Sequence, residues 1–278
     1  MIVVVGGGTM GGGIAVSFAL AGKRVRVVEH TPELAEAADA RIRASLERAA
    51  GKRDRADDFD EINALLNIDT EHPDPAEVEL LIEALPEDQA LKRSVLASID
   101  ARYQSNENVL IASNTSSLPI TDLATVVSAP ERFCGMHFFN PVPASQLVEV
   151  VVGGMTSDET TDRAAGYGEL LGLTPIVVSD SPGFASSRLG VALGLEAIRM
   201  VEAGVASAAD IDAAMTLGYK HPIGPLRLTD LVGVDVRLAI AQHLAAELGE
   251  RFAPPQLMID MARDGKLGKK TGEGFYVW

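Results

Sequence analysis

The sequence predicts an α/β molecule in which a doubly wound, mostly parallel sheet is followed by an all-helical domain. Three observations carry that prediction. Up to residue 180, strand-like apolar runs alternate with helical stretches, the pattern of a parallel sheet covered on both faces. The first run leads straight into a glycine-rich turn. After Asp180-Ser181-Pro182-Gly183 the strand signals stop and only helical periodicity remains. At a prior of about 150 residues per domain, 278 residues make two domains, expected at 1–180 and 181–278.

Strands are expected at about 2–5, 24–29, 79–84, 108–113, 132–138, 146–152 and 174–179, with helices at about 10–21, 32–50, 87–100, 119–127 and 158–171. The charged, broken stretch from Gly51 to Pro75 reads as a projecting turn or an extension of the second helix. In the second half a helix runs from about Phe184 to Glu202, with Gly204 as its C-cap. Its apolar residues, Leu189, Val191, Leu193, Leu195, Ile198 and Val201 among them, occupy more than one face. That predicts a helix buried nearly all round, and hence a homodimer formed through this half. A second helix starts at Ser207, where Ser-Ala-Ala-Asp resembles a capping box, and two more follow at about 226–248 and 255–264.

Composition narrows the function. A net charge of −15 argues against nucleic acid, whose phosphates call for clustered lysine and arginine. The charge is uneven: between Arg41 and Arg55 six basic residues face two acidic ones, a net +4 that leaves −19 elsewhere. Such a run is a solvated helix face or a docking place for a small polyanion. No segment has about 18 uninterrupted apolar residues, so no membrane span is expected. The start of the chain lacks the pattern of a signal peptide. The single cysteine, Cys134, reads as a small buried residue and fits a reducing compartment, so the expected location is cytoplasmic. No metal site is expected.

Gly6-Gly7-Gly8-Thr9-Met10-Gly11 satisfies G-x-G-x-x-G between a strand and a helix, the context in which the pattern signals a dinucleotide. Gly6 permits the turn, Gly8 lets the backbone approach a pyrophosphate, and Gly11 lets helix pack on strand. Glu29 ends the second strand, where a carboxylate accepts bonds from ribose hydroxyls and repels a 2′-phosphate, favouring NAD. Ser116 and His137 fall at the carboxyl ends of strands, which line the ligand crevice of such a sheet. An imidazole there can take the proton of a substrate hydroxyl, and Glu149 on a neighbouring strand could hold it in one tautomer. His30, His72, His221 and His243 read as structural.

These motifs, with Asn114-Thr115-Ser116-Ser117-Leu118, His137-Phe138-Phe139-Asn140-Pro141, Leu147-Val148-Glu149-Val150, Pro182-Gly183-Phe184, His221-Pro222-Ile223-Gly224-Pro225 and Gly272-x-Gly274-Phe275-Tyr276, run in order along essentially the whole chain. Together they resemble the 3-hydroxyacyl-CoA and 3-hydroxybutyryl-CoA dehydrogenases. The resemblance implies a Rossmann-type domain followed by a helical domain that dimerises, an acyl-CoA substrate, and NAD as cofactor. It implies that His137 and Glu149 are the catalytic pair and that Ser116 lies near both substrate and cofactor. By the same resemblance Glu87, Lys92, Asn140 and Lys270 contact NAD with the glycine turn, Thr9 and Met10, while Ser45 and Lys52, inside the basic segment, contact coenzyme A. Two departures stand out. Ser187 replaces the Asn of the family's Pro-Gly-Phe-x-x-Asn-Arg, which places the substrate oxygen, and Ser145-Gln146 replaces a Met-Lys pair. An altered acyl preference or a lowered rate is expected. A dehydrogenase of a hydroxy acid without coenzyme A, and a non-catalytic NAD-binding homologue, remain as alternatives.

Overall fold

The structure is a computed structural model that describes residues 1–52 and 56–278. Arg53, Asp54 and Arg55, the end of the basic segment, lie outside the described residues. The chain divides into two compact units, Met1–Ser181 and Pro182–Trp278.

The first unit is built on one eight-stranded sheet of order β3-β2-β1-β4-β5-β6-β7-β8. The strands are β1 (Ile2–Val5), β2 (Val25–Val28), β3 (Leu66–Asp69), β4 (Leu80–Glu83), β5 (Leu110–Ser113), β6 (Phe133–Phe138), β7 (Leu147–Val152) and β8 (Thr174–Ser179). β1, β4 and β5 are buried at every position, as central strands covered on both faces must be. Pairing is parallel except between β6 and β7, so the sheet is the doubly wound, mostly parallel one that the sequence predicts. Helix α1 (Thr9–Leu20) is buried from Gly11 to Leu20. Helix α2 (Pro32–Lys52) turns Ala35, Ala38, Ile42, Leu46 and Ala50 inward at helical spacing. Gly12 makes their close approach possible, since a Cβ there would stand 3.0 Å from the Ile42 side chain. Helices α3 (Phe59–Asn63), α4 (Gln89–Tyr103), α5 (Ile120–Ala124) and α6 (Asp158–Leu170) complete the unit.

Two expectations are corrected. The stretch read as a turn or helix extension holds α3 and β3, and β3 pairs in parallel with β2. Only Leu66 of β3 is buried, and a four-residue edge strand reading Leu-Asn-Ile-Asp puts just two apolar residues, Leu66 and Ile68, on its inner face, too short an alternation to stand out. In the second unit, the helix expected at 226–248 is two, α9 (Pro225–Val232) and α10 (Val234–Leu248), parted at Gly233, whose φ is +109°. Within the single chain α7 (Ser186–Glu202) turns Val191, Gly194, Leu195, Ala197 and Ile198 to the core, while Leu189 is 71% exposed, on the side that the expected second copy would have to cover.

Helices α8 (Ala208–Ala213) and α11 (Gln256–Arg263) pack with α7, α9 and α10 around a second apolar core. Ser207 caps α8 by accepting from the Asp210 N–H. Two buried carboxylates fasten this unit. Asp212 accepts from the N–H groups of Leu226 and Arg227 and from the Tyr276 hydroxyl. Asp230 accepts from the N–H groups of Phe275 and Tyr276 and from Trp278 Nε1. The glycines of the two C-terminal motifs give them room: a Cβ at Gly224 or Gly274 would fall 2.2 Å from the respective carboxylate. Among the described residues no helix is long and apolar enough to cross a membrane.

Candidate active site

The turn after β1 depends on glycine at two points. Gly6 takes φ +97°, and a Cβ at Gly11 would lie 1.8 Å from the Gly6 carbonyl oxygen. Gly8 differs, because a Cβ there would meet nothing within 4 Å. Its open side lines a cavity of about 270 Å³ with Thr9, Arg41, Ser45, Arg48 and Asn140. Gly8 is the N-cap of α1 and offers no side-chain acceptor, so the helix's first N–H groups and its positive dipole end remain for an anion. Glu29, just past β2, accepts from the Gly7 N–H at 2.7 Å, and Arg41 Nη2 donates to the Gly7 carbonyl at 2.6 Å. Backbone donors, two arginines and an opening beside Gly8 fit the pyrophosphate of NAD.

The other expected cofactor and CoA residues take different places. Met10 is half-buried and packs against the sheet's core rather than lining this cavity. Lys52 ends α2 and is exposed, while Ser45, one of the expected CoA contacts, lines the cavity beside Gly8. Arg41 and Arg48 were visible in the sequence only as members of the basic segment.

At the same carboxyl edge of the sheet, the antiparallel step between β6 and β7 sets His137 directly opposite Glu149. Residues so paired share a face and stand close enough for side-chain contact. His137 Nδ1 and Glu149 Oε2 lie 2.6 Å apart, with Glu149 wholly buried and His137 6% exposed. The Phe139 ring lies 4.6 Å from the imidazole, centroid to centroid. Asn114 Oδ1 accepts from the Phe138 N–H and so ties the end of β5 to β6 beside the histidine.

The loop after β5 is held by one carboxylate. Glu87 Oε1 accepts from the Thr115 hydroxyl at 2.6 Å, the Ser116 N–H at 2.9 Å, and the Ser117 N–H and hydroxyl. Burial alone would raise the Glu87 pKa, but bonds from Thr115 and Ser117, the Lys92 cation and the Ser116 N–H outweigh it, so the carboxyl sits below its ordinary value. Lys92 is fully buried, with Nζ at 2.7 Å from Glu83 Oε1, 3.0 Å from the Leu85 carbonyl and 3.6 Å from Glu87 Oε2. An ammonium has three protons to donate, and these three oxygens surround it. Glu83, also fully buried, accepts from Ser113 Oγ and from the Leu85 N–H as well. Sequence reading missed Glu83 because it ends a strand of otherwise apolar residues.

In the second unit, Ser187 lies in the first turn of α7. Lys270 bonds both oxygens of Asp235, at 2.6 and 2.7 Å, at the start of α10.

Comparison with known proteins gives consistent matches over the whole length. The family model described as 3-hydroxyacyl-CoA dehydrogenase, NAD binding domain, matches residues 1–181. That described as 3-hydroxyacyl-CoA dehydrogenase, C-terminal domain, matches residues 183–278. The chain is 43% identical to a 3-hydroxybutyryl-CoA dehydrogenase of Mycobacterium tuberculosis, covering 99% of this chain and 97% of that protein. It is 40% identical to a probable 3-hydroxybutyryl-CoA dehydrogenase of Bacillus subtilis, covering 99% and 96%. The crystal structure of (S)-3-hydroxybutyryl-CoA dehydrogenase from Ralstonia eutropha superposes with a TM-score of 0.92 at 40% identity, covering all of this chain and 98% of that one.

Proposed function

Because the chain belongs to the 3-hydroxyacyl-CoA dehydrogenase family, an NAD-dependent oxidoreductase family, we propose that it interconverts short-chain (S)-3-hydroxyacyl-CoA and 3-ketoacyl-CoA with His137 as the general base. NAD, when bound, supplies the hydride acceptor for the substrate's C3. The protein's own residues handle the proton. With Nδ1 bonded to Glu149, Nε2 is the imidazole nitrogen that exchanges a proton with the substrate oxygen. Glu149 fixes the tautomer and stabilises the imidazolium once the proton arrives. Ser116, held through its backbone by Glu87, is a second polar contact for that oxygen. In the reverse direction the imidazolium returns the proton to the ketone. Gly6, Gly8, Thr9, Gly11, Glu29 and Asn140 form the NAD side of the site. Ser45 and Lys52 are the contacts to coenzyme A.

The observation that carries this reading is the buried 2.6 Å contact between His137 and Glu149, set by strand register. The test is NADH absorbance with acetoacetyl-CoA. Wild type is expected to turn over, and His137→Ala to lose about 10²–10⁴-fold in kcat. A variant as fast as wild type would mean another base; no turnover by wild type while NADH binds would mean a non-catalytic homologue.

The active form we propose is a homodimer formed through the helical unit. Leu189, Leu217 and Tyr219 are 71%, 72% and 76% exposed there, apolar surface that a second copy would cover. Light scattering should give twice the chain mass, and Leu189→Glu should lower it.

A further inference from the structure

The carboxyl edge of the sheet holds a buried charge that the proposed proton transfer does not use. Glu83 ends β4, between β1 and β5. In register it stands beside Val5, which leads into the glycine turn, and beside Ser113, which leads into the loop 114–118. Glu83, its partner Lys92 and Ser113 are all fully buried. Taking a carboxylate and an ammonium out of water is costly, and apolar residues of similar volume often stabilise a core as well or better. Such a pair is weak evidence of a purely stabilising role.

The bonds of Glu83 run in two directions. Its Oε2 accepts from Ser113 Oγ at 2.5 Å, and its backbone carbonyl accepts from the Asn114 N–H at 2.8 Å. Asn114 Oδ1 in turn accepts from the Phe138 N–H, next to His137. In the other direction Glu83 Oε1 accepts from the Lys92 ammonium at 2.7 Å and from the Leu85 N–H at 2.6 Å. Lys92 stands 3.6 Å from Glu87 Oε2, and the other oxygen of Glu87 holds the N–H groups of Ser116 and Ser117. One side chain therefore fixes the loop at its root and, across a single cation, at Ser116 and Ser117. Lys92 is fully buried and its three protons face three protein oxygens, so it has no proton to spare for a cofactor phosphate.

We infer that Glu83 is a positioning residue: with Lys92 as its bridge to Glu87, it sets where the Ser116 loop stands relative to His137, and Lys92 acts through this chain rather than by touching the cofactor. The inference deepens the proposed activity and rests on it. Its physical core is charge balance. Removing the Glu83 charge leaves the buried ammonium with Glu87 as its one counter-charge, which draws that carboxylate away from the Ser116 and Ser117 N–H groups. Removing both charges relieves the pull.

The test uses Glu83→Gln, which keeps the volume, and the double variant Glu83→Gln/Lys92→Met, which removes both charges. Each is followed by NADH absorbance with acetoacetyl-CoA, by NADH binding from fluorescence, and by thermal melting. Glu83→Gln should lower kcat by about tenfold to 10²-fold, the scale of a small misplacement of reacting groups. The NADH Kd and the KM for acetoacetyl-CoA should stay within about threefold of wild type, and the double variant should regain most of the lost kcat. A residue that only supports the fold would lower the melting temperature and leave kcat in place. Ser113→Ala cuts one arm and leaves the ion pair whole, so it reads the same split if Glu83→Gln fails to fold. Wild-type kcat in the folded variants overturns the inference and leaves the dehydrogenase reading intact. A loss confined to NADH binding also overturns it, and a double variant no faster than Glu83→Gln overturns the part given to Lys92. No turnover by wild type overturns the activity and the inference together.

Discussion

Replacing Glu149 by glutamine keeps its volume and removes the charge that faces His137. The expected result is a kcat lowered by about 10²-fold or more with KM little changed, because the substrate still binds but the imidazolium loses its counter-charge. Steady-state kinetics with NADH would check the split. Glu87 has a pH signature. Its folded pKa is depressed, so the stability it contributes is full above its ordinary value of 4.5 and is lost as pH falls through the lower folded value. Thermal melting below pH 4.5 should therefore decline less steeply in Glu87→Gln than in wild type. Cys134 is fully buried and its thiol is pushed up to about 12, so alkylating reagents at pH 8 should leave it unmodified until the protein unfolds. Mass spectrometry along a denaturant series would follow this. At this scale the sequence yielded His137, Glu149 and the glycine turn, since each belongs to an ordered motif. It did not yield Glu83, because whether a charge is buried, and with what partner, is decided by packing between distant segments.

Elements were legible where the apolar period was long. The central strands, α1, α2 and α7 followed from continuous runs or helical spacing. β3 did not, because an edge strand needs few apolar residues. The break at Gly233 did not either, since the apolar spacing continues across it and one glycine in a helical pattern is ambiguous. The structure makes the reason for that glycine plain: its φ is +109°, and a Cβ would stand 2.9 Å from Asp235 Oδ1 and 3.2 Å from Lys270 Nζ. Gly233→Ala is expected to destabilise the protein by about 1–3 kcal/mol, measured by urea unfolding.

For the molecule as a whole, binding of NAD to the folded state alone stabilises it by mass action. At a concentration a hundredfold above Kd the gain is about 2.7 kcal/mol, read as a rise in melting temperature. Gly11→Ala, which forces a methyl to within 1.8 Å of the Gly6 carbonyl, should abolish the rise. The two-part organisation was visible in the sequence because strand signals end abruptly at Pro182-Gly183. The apolar residues of α7 were read as needing a second copy to cover them, and in the single chain Leu189 faces outward.

The one antiparallel step in an otherwise parallel sheet makes the proposed proton-handling pair a matter of odd and even. Neighbouring residues of β7 alternate between faces, so a slip of a single residue along β6 would bring Val148 or Val150 opposite His137 and send the carboxylate through to the far side. Residues 139–146, which join the two strands, should therefore accept changes of side chain far more readily than an insertion or deletion that shifts the count by one.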